Sequence, residues 1–115
     1  MEKLYNNSRD MCVTIYCRRY NRIYIPKYIF NRFEDIVQDE INAVDIWVDE
    51  TKIKIVPNNT GEFALSHNGS SPSGRIISLN RNAIVKYGIS EGHYPCSLDK
   101  NGEMTIVLER VNEDA

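Results

Sequence analysis

The 115-residue sequence is poor in the residues that build cross-linked or metal-bound scaffolds. Its 3 cysteines, Cys12, Cys17 and Cys96, are an odd number with no CxxC pair. That pattern argues against a disulfide framework and leaves reduced, partly buried thiols as the expectation. The 2 histidines, His67 and His93, stand far apart and away from any cysteine pair. A zinc site needs about four ligands at close spacing, so no metal or other cofactor is expected. Charge of one sign is lacking too. Lys and Arg number 14 against 16 Asp and Glu, a net charge of −2, so the total encodes no pull toward nucleic acid or an anionic membrane. No apolar run is long enough to span a bilayer. The opening "MEKLYNNSRD" has no apolar core of the signal-peptide kind, and a cytoplasmic location is expected.

Catalytic constellations are equally scarce. His93 and Cys96 are neighbours in "EGHYPC", but residues three apart in a strand point to opposite faces. No catalytic residue is assigned and no enzyme is expected. Trp47 and the tyrosines are expected in the core or at its rim.

Short β-forming runs fill most of the chain. "CVTIYC" predicts a strand over Cys12 to Cys17, "RRYN" a turn, and "RIYI" a strand stopped by Pro26, which cannot donate to a ladder. Proline also suits the first turn of a helix, and Ile29, Phe33 and Ile36 make a helical stripe within "PKYIFNRFEDIVQD". "AVDIWVDETKIKIVP" predicts a hairpin about the polar "DET". "EFALSH" predicts a short strand over Glu62 to His67, and "NGSSPSG" is the strongest loop signal in the chain. "RIISL" predicts a strand. A short helix follows, with Asn80 as N-cap and Gly88 as its left-handed stop. A last hairpin turns at "DKNG".

This order occurs twice: strand, loop, Arg-strand, short helix, hairpin. Arg22 corresponds to Arg75 and Asp49 to Asp99. A unit of that size is too small to close a core alone, so two are expected to bury their apolar faces against each other. Charge repeats as well. Cys12 to Phe33 holds Arg18, Arg19, Arg22, Lys27 and Arg32 with no acid. Glu34 to Glu50 holds Glu34, Asp35, Asp39, Glu40, Asp45, Asp49 and Glu50 with no base. Phe63 to Ser90 holds Arg75, Arg81 and Lys86 with no acid, and acids outnumber the lone Lys100 from Glu91 to Glu109. The near-neutral total thus hides two basic surfaces.

"VTIYCRRYNRIYIPKYIFNRF", followed by "AVDIWVDETKIKIVP", resembles the AbrB/MraZ/SpoVT family of swapped-hairpin DNA-binding domains. That family's motif is a strand, a basic loop, a Gly-Arg strand ending in Ile-Pro, a short helix with basic residues and a closing hairpin. Asn21-Arg22 and Ile25-Pro26 stand at the family's Gly-Arg and Ile-Pro. The second copy offers Gly74-Arg75, "IISL", "IVKYGISEG" and "EMTIVL", with Leu79 where the first has Pro26 and no arginine in the loop before Arg75. The resemblance implies a mainly β fold with two short helices: a swapped-hairpin (AbrB-like) β-barrel formed by two pseudo-symmetric repeats, residues 11–57 and 58–109, between tails at 1–10 and 110–115. It implies a transcriptional regulator that binds double-stranded DNA as a homo-oligomer. Arg18, Arg19, Arg22, Lys27 and Arg32 of the first copy, with Arg75 and Arg81 of the second, would touch DNA. The competing expectation is a phage or mobile-element inhibitor that binds a host protein, with the acidic stretch Glu34 to Glu50 imitating phosphate.

Overall fold

Alternation of inward apolar and outward polar side chains sets the strands. β1 (Cys12–Tyr16) buries Val13 and Ile15, and β2 (Arg22–Ile25) buries Ile23 and Ile25. The period of two leaves Thr14, Tyr16, Arg22 and Tyr24 on the other face. The computed structural model describes Met1 and residues 11–67 and 74–108; the expected tails and most of the Ser/Gly loop lie outside the described residues.

Pro26 ends β2, and its carbonyl accepts from the backbone N–H of Ile29 (3.1 Å) and Phe30 (3.0 Å), which starts α1 (Lys27–Val37). The helix sends Ile29, Phe30 and Phe33 into the core, so the buried stripe includes Phe30, while Ile36 is half-buried. It stops two residues before the end of the predicted stretch because Gln38 turns left-handed (φ 60°), its N–H reaching Glu34 O at 2.7 Å. β3 (Ala43–Val48) and β4 (Lys52–Pro57) form the predicted hairpin.

The predicted strand over Glu62 to His67 is broken at Leu65. β5 (Phe63–Ala64) pairs with β3, whereas β6 (Ser66–His67) pairs with β7 (Arg75–Ser78). Two partners facing different ways require that bend. α2 (Arg81–Lys86) is capped by Asn80, whose side chain accepts from Asn82 N at 2.8 Å. Gly88 ends it at φ +62°, with Ile89 N–H donating to Ile84 O (3.0 Å) and Gly88 N–H to Val85 O (3.2 Å), the paired bonds of a Schellman stop. β8 (Gly92–Leu98) and β9 (Met104–Val107) form the predicted last hairpin.

Every pairing is antiparallel, in the order β5-β3-β4-β9-β8-β1-β2-β7-β6. β5 and β6 end that order on opposite sides yet are joined through Leu65, so the sheet is a nearly closed antiparallel barrel. Closure leaves little edge for stray strand pairing. β8 makes the opposite seam, pairing with β1 in its first half and β9 in its second. The interior is packed with apolar side chains, Ile15, Ile23, Ile53, Ile55, Met104 and Ile106 among them, and the helices add Phe30, Phe33 and Ile84. No polar or charged side chain among the described residues is buried. No helix among them is long and apolar enough to cross a membrane.

Candidate nucleic-acid interface

The basic turn between β1 and β2, residues 17–21, is fixed by residues far along the chain. Arg81 at the start of α2 donates from Nη1 to Cys17 O (2.9 Å) and Asn21 Oδ1 (3.2 Å). Leu79 N–H donates to Asn21 O at 2.7 Å. Glu91 Oε1 accepts from the backbone N–H of Cys17 (3.2 Å) and Arg18 (3.3 Å), and its Oε2 lies 3.5 Å from Arg18 Nε. Arg18 is 87% exposed, so that ion pair is worth little and leaves the guanidinium reachable. Arg19 and Tyr20 are exposed at the tip. The Arg22 guanidinium lies over the Tyr20 ring, 4.1 Å from its centroid. Tyr16, Arg19, Tyr20, Arg22, Tyr24 and Ile76 line a groove of ≈ 350 Å³ beside the turn.

Of the seven sequence-predicted site residues, four come together at this end: Arg18, Arg19, Arg22 and Arg81. The other three, Lys27, Arg32 and Arg75, stand at the far end of β2. Arg22 and Lys27 are five residues of extended chain apart, roughly 15 Å. Arg32 Nη1 lies 3.2 Å from Met11 Sδ, at the end of β1 away from the turn. Arg75 is opposite Ile25 in the ladder, and its guanidinium lies 4.4 Å from the Phe30 ring centroid. There it faces a polar pocket of ≈ 260 Å³ shared with Glu34, Glu40 and His67. The far end is therefore of mixed charge, whereas no carboxylate lines the groove at the turn.

The chain matches no family model, no curated protein and no solved structure.

Sequence reasoning missed two tyrosines of the groove, whereas Tyr94 is in the core and Tyr28 and Tyr87 pack against it. Tyr16 and Tyr20 are 41% and 52% exposed and line the groove, rather than serving the core or its rim; Trp47 is 58% exposed on another part of the barrel. The signal was present, because Tyr16, Arg22 and Tyr24 alternate with the buried Ile15, Ile23 and Ile25. His93 Nδ1 lies 2.8 Å from Thr14 Oγ1 on the outer face, while Cys96 is half-buried and its thiol is pushed up to about 12, chiefly by burial and then by Cys12. All three cysteines are half-buried free thiols.

Glu34, Asp39, Asp45 and Asp49 of the acidic stretch accept hydrogen bonds that hold nearby turns and loops. Glu34 Oε2 accepts from Ile41 N (3.1 Å) and Asp39 Oδ1 from Glu40 N (2.8 Å). Asp45 accepts from Asn58 Nδ2 (2.8 Å) and Glu62 N (3.2 Å). Asp49 Oδ1 accepts from Thr51 N (2.7 Å), Thr51 Oγ1 (2.8 Å) and Lys52 N (3.0 Å).

Proposed function

We propose that this chain is a non-enzymatic, DNA-binding transcriptional regulator of AbrB-like, swapped-hairpin build, in which residues 11–57 and 58–109 are pseudo-symmetric repeats. The observation that carries the reading is the strand pairing. Exchange β1 with the bent β5–β6 strand, β2 with β7, β3 with β8 and β4 with β9. The β1–β8 pair then becomes β5–β3, β1–β2 becomes β6–β7, and β3–β4 becomes β8–β9, while β2–β7 and β4–β9 each return to themselves. Register follows. Arg22↔Ser78 becomes Arg75↔Ile25 at a shift of 75 − 22 = 53, and Lys52↔Val107 becomes Met104↔Ile55 at 104 − 52 = 52. Asp99 repeats the turn-closing role of Asp49, accepting from Asn101 N (2.9 Å) and Glu103 N (3.0 Å). Within each half the first two strands do not pair with the closing hairpin, so neither half makes a sheet beyond two strands. Two-stranded ribbons are marginal alone, and interleaving supplies the missing neighbours.

Fold likeness alone does not assign function, and the physical support comes from charge. The turn presents Arg18 and Arg19 to solvent with Arg22 behind them and Arg81 as their brace. Cations in that arrangement bind phosphate and release counterions, which gives affinity a steep salt dependence. Duplex DNA is the proposed partner, engaged by a homo-oligomer. The protein-inhibitor reading draws less support from the acidic stretch, since Glu34, Asp39, Asp45 and Asp49 hold turns and loops.

A mobility-shift series against genomic duplex fragments across salt, with light scattering on the same samples, tests the proposal. We expect a shift that weakens with salt. The Arg18→Ala/Arg19→Ala double variant should flatten the slope of log K against log salt by about 2 if each arginine neutralises one phosphate. Absence of any shift at low salt sinks the proposal.

A further inference from the structure

We infer that the tyrosine-lined face beside the basic turn is a stacking platform for unpaired nucleotides, so that the ligand of this end is single-stranded nucleic acid or a locally opened duplex. The inference rests on the reading of the turn as a nucleic-acid surface and adds the state in which the nucleic acid is held.

The face is built by strand alternation. Val13, Ile15, Ile23, Ile25 and Ile77 fill the interior, so their neighbours project outward. Tyr16 stands opposite Arg22, and Tyr24 stands between Thr14 and Ile76 in adjacent ladders. The turn adds Arg19 and Tyr20. The result is three phenol rings and two guanidiniums around one groove of ≈ 350 Å³, within the size range of small-ligand sites, about 300–1,000 Å³.

Chemistry selects the occupant. A phosphate backbone alone asks for cations and has no use for exposed rings. A closed duplex keeps its bases stacked on each other and shows a protein their edges. Only an unpaired base offers the π-face that a tyrosine ring can cover, and single-strand binders combine such rings with a positively charged track. Here both parts are in one groove that no carboxylate lines. The Arg22 guanidinium, 4.1 Å from the Tyr20 centroid, holds that ring in place and remains available to a phosphate. Ile76 supplies an apolar floor that suits a base and not a hydrated ion.

The test is fluorescence anisotropy of the full chain with a labelled oligothymidine and, separately, a labelled duplex of mixed sequence. Tyr16→Ala, Tyr20→Ala and Tyr20→Phe are compared with the parent; both tyrosines are well exposed, and circular dichroism checks that each variant folds. We expect the oligothymidine to bind, each alanine variant to weaken it roughly tenfold, and Tyr20→Phe to keep it, with duplex binding unchanged by Tyr16→Ala and Tyr20→Phe. Tyr16→Ala is the cleaner probe, because Tyr20→Ala also removes the support under Arg22. Duplex binding without oligothymidine binding, or oligothymidine binding indifferent to both alanine variants, overturns the platform and leaves the DNA-binding proposal standing. Binding of neither nucleic acid overturns both.

Discussion

Replacing Gly74 by alanine tests the tightest backbone approach among the described glycines. Gly74 sits just before β7, where that strand begins its ladder beside the end of β2. A Cβ built there falls 1.8 Å from Ile25 O, 2.8 Å from Ile25 C and 3.0 Å from Lys27 N. A carbon normally keeps about 3.5 Å from such atoms, so the two backbones must part by more than an ångström. The obstructing atoms are main chain and cannot rotate away. Parting them loosens the Ile25↔Arg75 pairing and disturbs Ile25 and Ile77, both fully buried. Overpacking of this kind costs about 1–3 kcal/mol, and a weakened ladder bond adds about 1 kcal/mol. Alanine's smaller unfolded-state entropy returns about 0.4–1 kcal/mol. The net expectation is a loss of about 1–3.5 kcal/mol, a large share of a typical domain's stability of about 5–15 kcal/mol. Gly88→Ala is the control. Its φ of +62° disfavours a side chain, but nothing lies within 4 Å of the added carbon, so only the conformational cost of about 1 kcal/mol applies. Urea denaturation of both variants decides the matter. A Gly74→Ala protein as stable as its parent, or milder than Gly88→Ala, would refute the close approach of Gly74 to the end of β2.

Three further outcomes are expected. Arg81→Ala removes the donor to Cys17 O and Asn21 Oδ1 and should cost about 0.5–1 kcal/mol, with faster amide exchange in residues 18–21; unchanged exchange there would show that the brace does not hold the turn. Asp49 has its carboxyl held below the ordinary value, first by the Thr51 backbone N–H, then by the Thr51 hydroxyl. A lowered folded pKa gives stability that is present above the unfolded value and fades as pH falls through the folded one. Thermal melts from neutral pH to about pH 2 should therefore fall less steeply for Asp49→Asn than for the parent, and parallel curves would contradict this. Cys96, pushed up to about 12, should remain unalkylated by iodoacetamide at about pH 8 until denaturant is added, because the thiolate is the reactive form; rapid native labelling at Cys96 would count against its burial.

Most elements were legible because each carried its own local chemistry. Pro26 marked the β2–α1 junction, Asn80 and Gly88 bounded α2, and the Asp residues before each hairpin turn closed it. The break at Leu65 was not legible, since it answers to two different partner strands and not to any breaker within "EFALSH". The same limit applied to the site. Basic residues in one acid-free run look like one surface, but an extended strand carries Arg22 and Lys27 to opposite ends. Arg81, from the other half of the chain, joins the turn instead. Grouping by sequence could find the charges, and only strand pairing could sort them.

That sorting bears on how the two ends differ. Arg22 and Arg75 are exchanged by the same operation that maps the strands, yet they sit in unlike surroundings. Arg22 lies on an exposed tyrosine in a groove without carboxylates. Arg75 lies on the buried Phe30, in a pocket that Glu34 and Glu40 share. A guanidinium over a core ring contributes to packing within the fold, and nearby carboxylates weaken its attraction for phosphate. The equivalent of the turn's exposed arginines is missing as well, because "NGSSPSG" contains none before Arg75. Under the proposed function, one barrel therefore carries one strongly basic end, not two. Binding across a symmetric operator would need a second chain to bring the second end, which ties the proposed homo-oligomer to the asymmetry of the single chain.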